Sequence, residues 1–221
     1  MTSAQLIFDL VSQATLQTLS MVLFSTLFSV LLGLPLGVLL FVSDPLSGIS
    51  AHPVLNQVLS RIVNILRSFP FIILMILLFP LSRLILHTSI GTKATIVPLS
   101  IAAAPFVARV IETALKEVDQ GVIQAARAIG STNWQIIYKV LLPEALPSLV
   151  DGITLTIINL IGYSAMAGAI GGGGLGDLAI RYGYQRFRTD IMFVAVVVIL
   201  LLVELIQALG TKISARIIKR R

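Results

Sequence analysis

Cysteine is missing from all 221 positions, which excludes disulfide staples, a thiol nucleophile and cysteine-ligated metals. Histidine is nearly missing too: His52 and His87 are the two present, and neither has a partner at metal-ligand spacing. Zinc and redox chemistry therefore lack a ligand set. Charge is the third scarcity, at 12% of residues, where an ordinary soluble domain carries about 25%. What the chain has instead is 57% apolar residues and a mean hydropathy of +0.99. A water-soluble core of this size would leave large apolar patches exposed, so lipid is the solvent such a surface requires. The chain reads as an all-α integral membrane protein.

Other absences narrow the organisation. Met1 to Thr15 carries no Lys or Arg ahead of the first apolar run, so the basic start of a secretory signal peptide is lacking and that run is expected to persist in the mature protein. No long linker, low-complexity tract or repeat is evident, which gives one membrane domain over 1–221. The net charge of +6 does not point to nucleic acid, because the basic residues stand singly between apolar runs apart from Lys219, Arg220 and Arg221.

A charged side chain near the bilayer centre costs at least ~2.5 kcal/mol, so charges mark the gaps between spans. Five spans result, at about 16–42, 64–86, 94–111, 152–171 and 191–209. The first is longer than a ~30 Å hydrocarbon core needs, and can tilt or bend. In the second, Arg67 and Arg83 bracket the apolar core and can snorkel to the two interfaces. The third is short, with an uncharged core from Ala94 to Ala108 that contains Pro98 and Pro105. The fifth encloses one acid, Glu204. With the N-terminus outside, eleven basic residues fall on the inner side and five on the outer, the arrangement that retention of short basic loops favours. The segment from about 112 to 151 and the C-terminal tail are then cytoplasmic.

That cytoplasmic segment reads as a helix-turn-helix shelf. Val122, Ile123, Ala126 and Ile129 recur at helical spacing, and Gly130 supplies a stop that tolerates positive φ. Ser131, Thr132 and Asn133 include good N-cap residues, and Trp134, Ile137 and Leu141 form the face of a second short helix interrupted by Pro143 and Pro147. Such faces serve a partner protein, or equally the underside of the chain's own bundle or the lipid interface.

The residues here carry a resemblance. Gln124-Ala125-Ala126, three residues, Gly130, nine residues, and Val140-Leu141-Leu142-Pro143 reproduce the spacing of the EAA loop of ABC importer permeases. Arg67-Ser68-Phe69-Pro70-Phe71, the stretch from Pro98 to Phe106, and Gly162-Tyr163-Ser164-Ala165-Met166-Ala167-Gly168 through Gly176 look like the methionine-type branch of that family. The likeness covers nearly the whole chain. It implies a homodimer in the bacterial inner membrane, two cytoplasmic ATPase subunits docked on the loops, an external substrate-binding lipoprotein, and methionine as substrate. It also implies a coupling surface of Gln124, Ala125, Ala126, Gly130, Trp134, Leu142 and Pro143, with ATP and Mg held by the partner ATPase and no cofactor on this chain. Two departures stand out: Gln124 replaces the usual Glu, removing a charge that could pair with a basic residue, and Val140 replaces Ile.

The chain's own letters agree that energy must come from outside. None of its five lysines is followed by Ser or Thr, so no phosphate-binding loop is present. Gly171 to Gly176 contains a formal Gly-x-Gly-x-x-Gly, but it follows a membrane span rather than a strand, so a packed or gating turn is expected instead of a dinucleotide site. Gly33 and Gly37 bracket Pro35 in the first span, a pattern for close packing with a bend. For the translocation pathway the candidates are Ser68, Tyr163, Ser164 and Met166, where hydroxyls and a polarisable thioether would meet an apolar, sulfur-bearing solute; Met166 is equally a gap-filler. Glu204 has no second acid, His or Lys in its own or the preceding span, a poor start for a proton relay. The competing readings are a permease for another small amino acid or osmolyte, and a self-contained channel or ion-coupled carrier. An enzyme lacks any paired acids, Ser-His set or metal cluster in the spans.

Overall fold

Residues 3–88 and 90–219, which the computed structural model describes, contain helices and no strand. Arg220 and Arg221 of the basic tail lie outside the described residues. In chain order the α-helices are α1 (Ser3–Val42), α2 (Pro53–Ser68), α3 (Phe71–Leu86), α4 (Thr92–Lys116), α5 (Gln120–Ala128), α6 (Asn133–Ile136), α7 (Leu142–Glu144), α8 (Leu146–Gly168), α9 (Gly174–Leu178) and α10 (Thr189–Ile218). Two π-helical turns, Ile137–Leu141 and Ala179–Tyr184, join α6 to α7 and extend α9. By length and composition α1, α4, α8 and α10 can each cross a membrane, and α2 and α3, joined at a sharp bend, are long and apolar enough only as a pair, the form of a broken span or a re-entrant loop.

The bend is a departure from the continuous second helix expected over 64–86. The axes of α2 and α3 turn by 103° at Phe69 and Pro70. Proline has no N–H to donate and crowds the residue before it out of the helical region. Its own carbonyl then accepts from the Ile73 and Leu74 N–H groups at 3.0 and 3.1 Å, which starts α3. The third crossing also differs: α4 is 25 residues long, running past Arg109 and Glu112 to Lys116, with Pro98 and Pro105 buried inside it. The charges at its end are accommodated because they bind one another.

Two compact units emerge from the packing, each assembled from separated stretches of chain. The first takes the stretch up to Ser29, Phe69–Ala103 and Thr156–Gln207. Its interior holds Met21, Val22, Leu99, Leu160 and Ile161, and a second cluster of Ala14, Leu175, Leu178, Ile191 and Ala195. The second unit takes Val30–Ser68, Ala104–Leu155 and the stretch from Ala208. There α1 and α4 meet through glycine: a Cβ on Gly33 would lie 2.7 Å from Val107, and one on Gly37 would lie 2.6 Å from the Ala108 carbonyl oxygen. Absence of side chains at these two positions lets the backbones approach, the use expected of that spacing.

Candidate functional site

The shelf begins where Asp119 caps α5, its carboxylate accepting from Gly121 N–H at 2.7 Å and Val122 N–H at 3.3 Å. It turns at Gly130, whose φ of +80° is closed to most side chains. Gly130 N–H donates to the Arg127 carbonyl at 2.9 Å and Ser131 N–H to the Ala126 carbonyl at 3.1 Å, the paired bonds of a Schellman stop. Thr132 and Gln135 then form a reciprocal capping box that opens α6. The π turn after it ends beside Pro143, whose ring would clash with the carbonyl four residues back in a regular helix.

These local signals orient the side chains. Ile123 and Ala126 of α5, with Ile136 and Leu141, pack on Ile111 and Leu115 of α4 and Leu149 of α8 in one apolar cluster. Two expected faces are thereby corrected. Val122 and Ile129 point outward at 41% and 83% exposure, and so does Trp134 at 72%, while Ile136 takes the buried place. A uniform 3.6-residue period placed Trp134 with Ile137 and Leu141; α6 is four residues long and the π turn resets the phase. Among the residues expected on the coupling surface, Gln124, Ala125, Gly130, Trp134 and Pro143 are exposed, Leu142 is half-buried against the cluster, and Ala126 faces inward and seats the helix. Exposed Tyr138 joins the outward set, missed because a tyrosine shortly before a proline motif carries no sequence signal of direction.

Above the shelf runs a chain of charges that the sequence did not reveal, although Arg109, Glu112 and Lys116 show the i, i+3 and i+4 spacing of paired ions on α4. Glu112, with its side chain 3% exposed, binds Arg109 at 2.6 Å and Lys116 at 2.8 Å. Only the carboxylate is buried, since the Arg109 and Lys116 side chains are 26% and 39% exposed, so it is loss of a cation that strands a charge away from water. Lys116 also binds Asp44 at 2.8 Å. Burial opposes the charge on Asp44, but hydrogen bonds from Lys116 and from the Ser47 and Leu46 N–H groups outweigh it and lower its pKa to about 2.

The pathway candidates divide between the units. Ser68 ends α2, exposed, and its hydroxyl donates to the Asn64 carbonyl at 2.8 Å. Tyr163, Ser164 and Met166 lie together on α8. The Tyr163 ring stacks on Phe71 of α3 with centroids 4.1 Å apart and planes at 7°. Ser164 is buried and donates to the Ile161 carbonyl at 2.7 Å, so its proton is spent on its own helix. Met166 is 52% exposed. Near them the glycine turn is pinned by side chains of α1: Gly174 N–H donates to Gln17 at 2.8 Å and Leu175 N–H to Thr18 at 2.9 Å. Glu204 is exposed on α10, and among the described residues no group of His, Cys, Asp or Glu could hold a metal.

Comparison with known proteins places this geometry. Residues 33–220 match the family described as binding-protein-dependent transport system inner membrane component. A probable D-methionine transport system permease protein of Vibrio cholerae, MetI, is 50% identical over 209 residues, covering 95% of this chain and 92% of that one. The methionine import system permease protein MetP of Bacillus subtilis is 50% identical over 165 residues, covering 75% and 74%. Among solved structures, an inward-facing MetNI methionine ABC transporter matches with a TM-score of 0.94 at 46% identity, over 98% of this chain and 99% of the other. An amino acid ABC transporter crystallised with histidines shares the fold, with a TM-score of 0.78 at 20% identity. A multi-pass helical chain with a capped, outward-facing shelf is thus a member of the binding-protein-dependent transport system inner membrane component family, a transport subunit and not an enzyme.

Proposed function

We propose that this chain is the permease subunit of an ATP-binding-cassette importer that carries methionine across the inner membrane, acting as a homodimer with its pathway at the two-fold axis. The observation that carries the reading is the shelf. Two short helices, stopped by Gly130 and capped by Thr132, bury one face in the permease and hold Gln124, Ala125, Trp134 and Tyr138 outward. A structured apolar surface of this kind is built for a protein partner. The identity of about half to methionine permeases supports the substrate.

In this reading the shelf is cytoplasmic and the N-terminus external. Two ATPase subunits dock on the shelves of a dimer and hold ATP and Mg, while an external lipoprotein delivers methionine. Closure of the ATPases displaces the shelves and switches the passage between inward-facing and outward-facing forms. Gln124, in place of a carboxylate, docks by hydrogen bonding through its amide rather than by an ion pair. Tyr163 and Met166 of α8 face the passage, and methionine's thioether meets polarisable surface there.

Purification from the native membrane in mild detergent tests the assignment. A phosphate-loop ATPase in equimolar amount, lost with Trp134→Ala, and ATP-dependent methionine uptake in proteoliposomes are the expected results. A chain that purifies alone and conducts without ATP would be a channel or carrier instead.

A further inference from the structure

A buried carboxylate links the shelf to the bend between α2 and α3. Glu112 accepts from Arg109 and Lys116, and each cation reaches onward. Lys116 binds Asp44, just past the end of α1, and Arg109 donates to the Asn64 side-chain oxygen on α2 at 2.8 Å. At the shelf end, Arg127 of α5 donates to the Ile49 carbonyl at 2.6 Å, and Ile49 shares its loop with Asp44. At the other end, the Asn64 carbonyl holds Ser68, the last residue of α2 before the bend. Arg67 in the same final turn lies over the Phe106 ring of α4, 5.8 Å from its centroid. Every one of these residues belongs to the second unit.

A carboxylate shut away from water must keep its counterions. Arg109 and Lys116 are therefore held on Glu112, and through them the loop carrying Asp44 and the α2 residue Asn64 are tied to the end of α4. We propose that Glu112 is a positioning residue for transport: through Asp44, Lys116, Arg109 and Asn64 it passes displacement of α5 to the last turn of α2. The inference rests on the importer reading. It adds to that reading a route by which displacement of the shelf reorients the start of the bent pair.

Two readouts test it. In the purified permease alone, Arg127→Ala releases the shelf end. Amide hydrogen exchange at 64–68 then rises about fivefold or more in the native background and less than about twofold in Glu112→Gln, the signature of a coupled pair. Equal increases in both backgrounds overturn the relay. In proteoliposomes with the co-purified ATPase, Glu112→Gln keeps equimolar ATPase and hydrolysis within about twofold, while uptake per ATP falls about tenfold or more, and Glu112→Asp recovers part of it. Uptake and hydrolysis falling in proportion would assign Glu112 a merely structural role and sink the proposal. Should Glu112→Gln fail to fold, Asn64→Ala at the exposed end cuts the same chain and is read the same way. If the native chain brings down no ATPase, the importer reading fails, and the exchange experiment still decides the relay.

Discussion

Gly130 shows how narrow a constraint one residue can carry. A Cβ built there meets nothing within 4 Å, so its φ of +80° alone restricts what it can become. A β-branched side chain in that region costs about 1–2 kcal/mol, whereas Asn visits it readily. Gly130→Val is therefore expected to lower ATPase co-purification severalfold and Gly130→Asn to leave it near the native level; equal loss in both would point to steric contact instead. Asp44 makes a pH-dependent statement. Its pKa of about 2 lies below the ordinary 3.8, so its contribution is complete above that ordinary value and is lost as pH falls through the native one. The thermal midpoint of the detergent-solubilised chain should drop between about pH 4 and pH 2 more steeply than that of Asp44→Asn. Sequence spacing made Gly130 legible because a glycine after a helical period has one common use. It put Trp134 on one face with Ile137 and Leu141, whereas Trp134 is exposed and Leu141 buried, because a π turn that hydrophobic periodicity does not encode follows α6.

Proline and glycine set the elements, though unequally. Phe69-Pro70 and Val97-Pro98 look alike as letters, yet the first pair bends the chain by 103° and the second lies inside an unbroken α4. The difference lies at the next residue, for Phe71 is held against Tyr163 and α3 must start in a new direction. Only packing across distant positions holds that information. The small-residue contact of α1 with α4 was readable, because two glycines four apart in a span chiefly serve close backbone approach. Gly37→Val forces a side chain against the Ala108 carbonyl and Ile111, and overpacking of this kind costs about 1–3 kcal/mol. Gly162, with nothing within 4 Å, is the control: Gly162→Ala should hold or slightly raise the thermal midpoint, while Gly37→Val lowers it by several degrees.

For the whole molecule, scarcity of charge revealed the membrane, and gaps between charges revealed the helices. The same logic fell short where charges neutralise one another inside a helix. Arg109, Glu112 and Lys116 mark the end of a span by their letters, whereas mutual pairing lets α4 carry them to its last residue. The interleaving of the two compact units has a consequence for synthesis. The second unit needs Ser214, which donates to Asp151 at 3.0 Å, and Gly210, which packs against Thr154, both near the end of the chain. The first needs Ile191 and Ala195 in its core. Neither unit can therefore finish folding on the ribosome until the last helix has been translated. A nascent chain stopped before α10 leaves both units open.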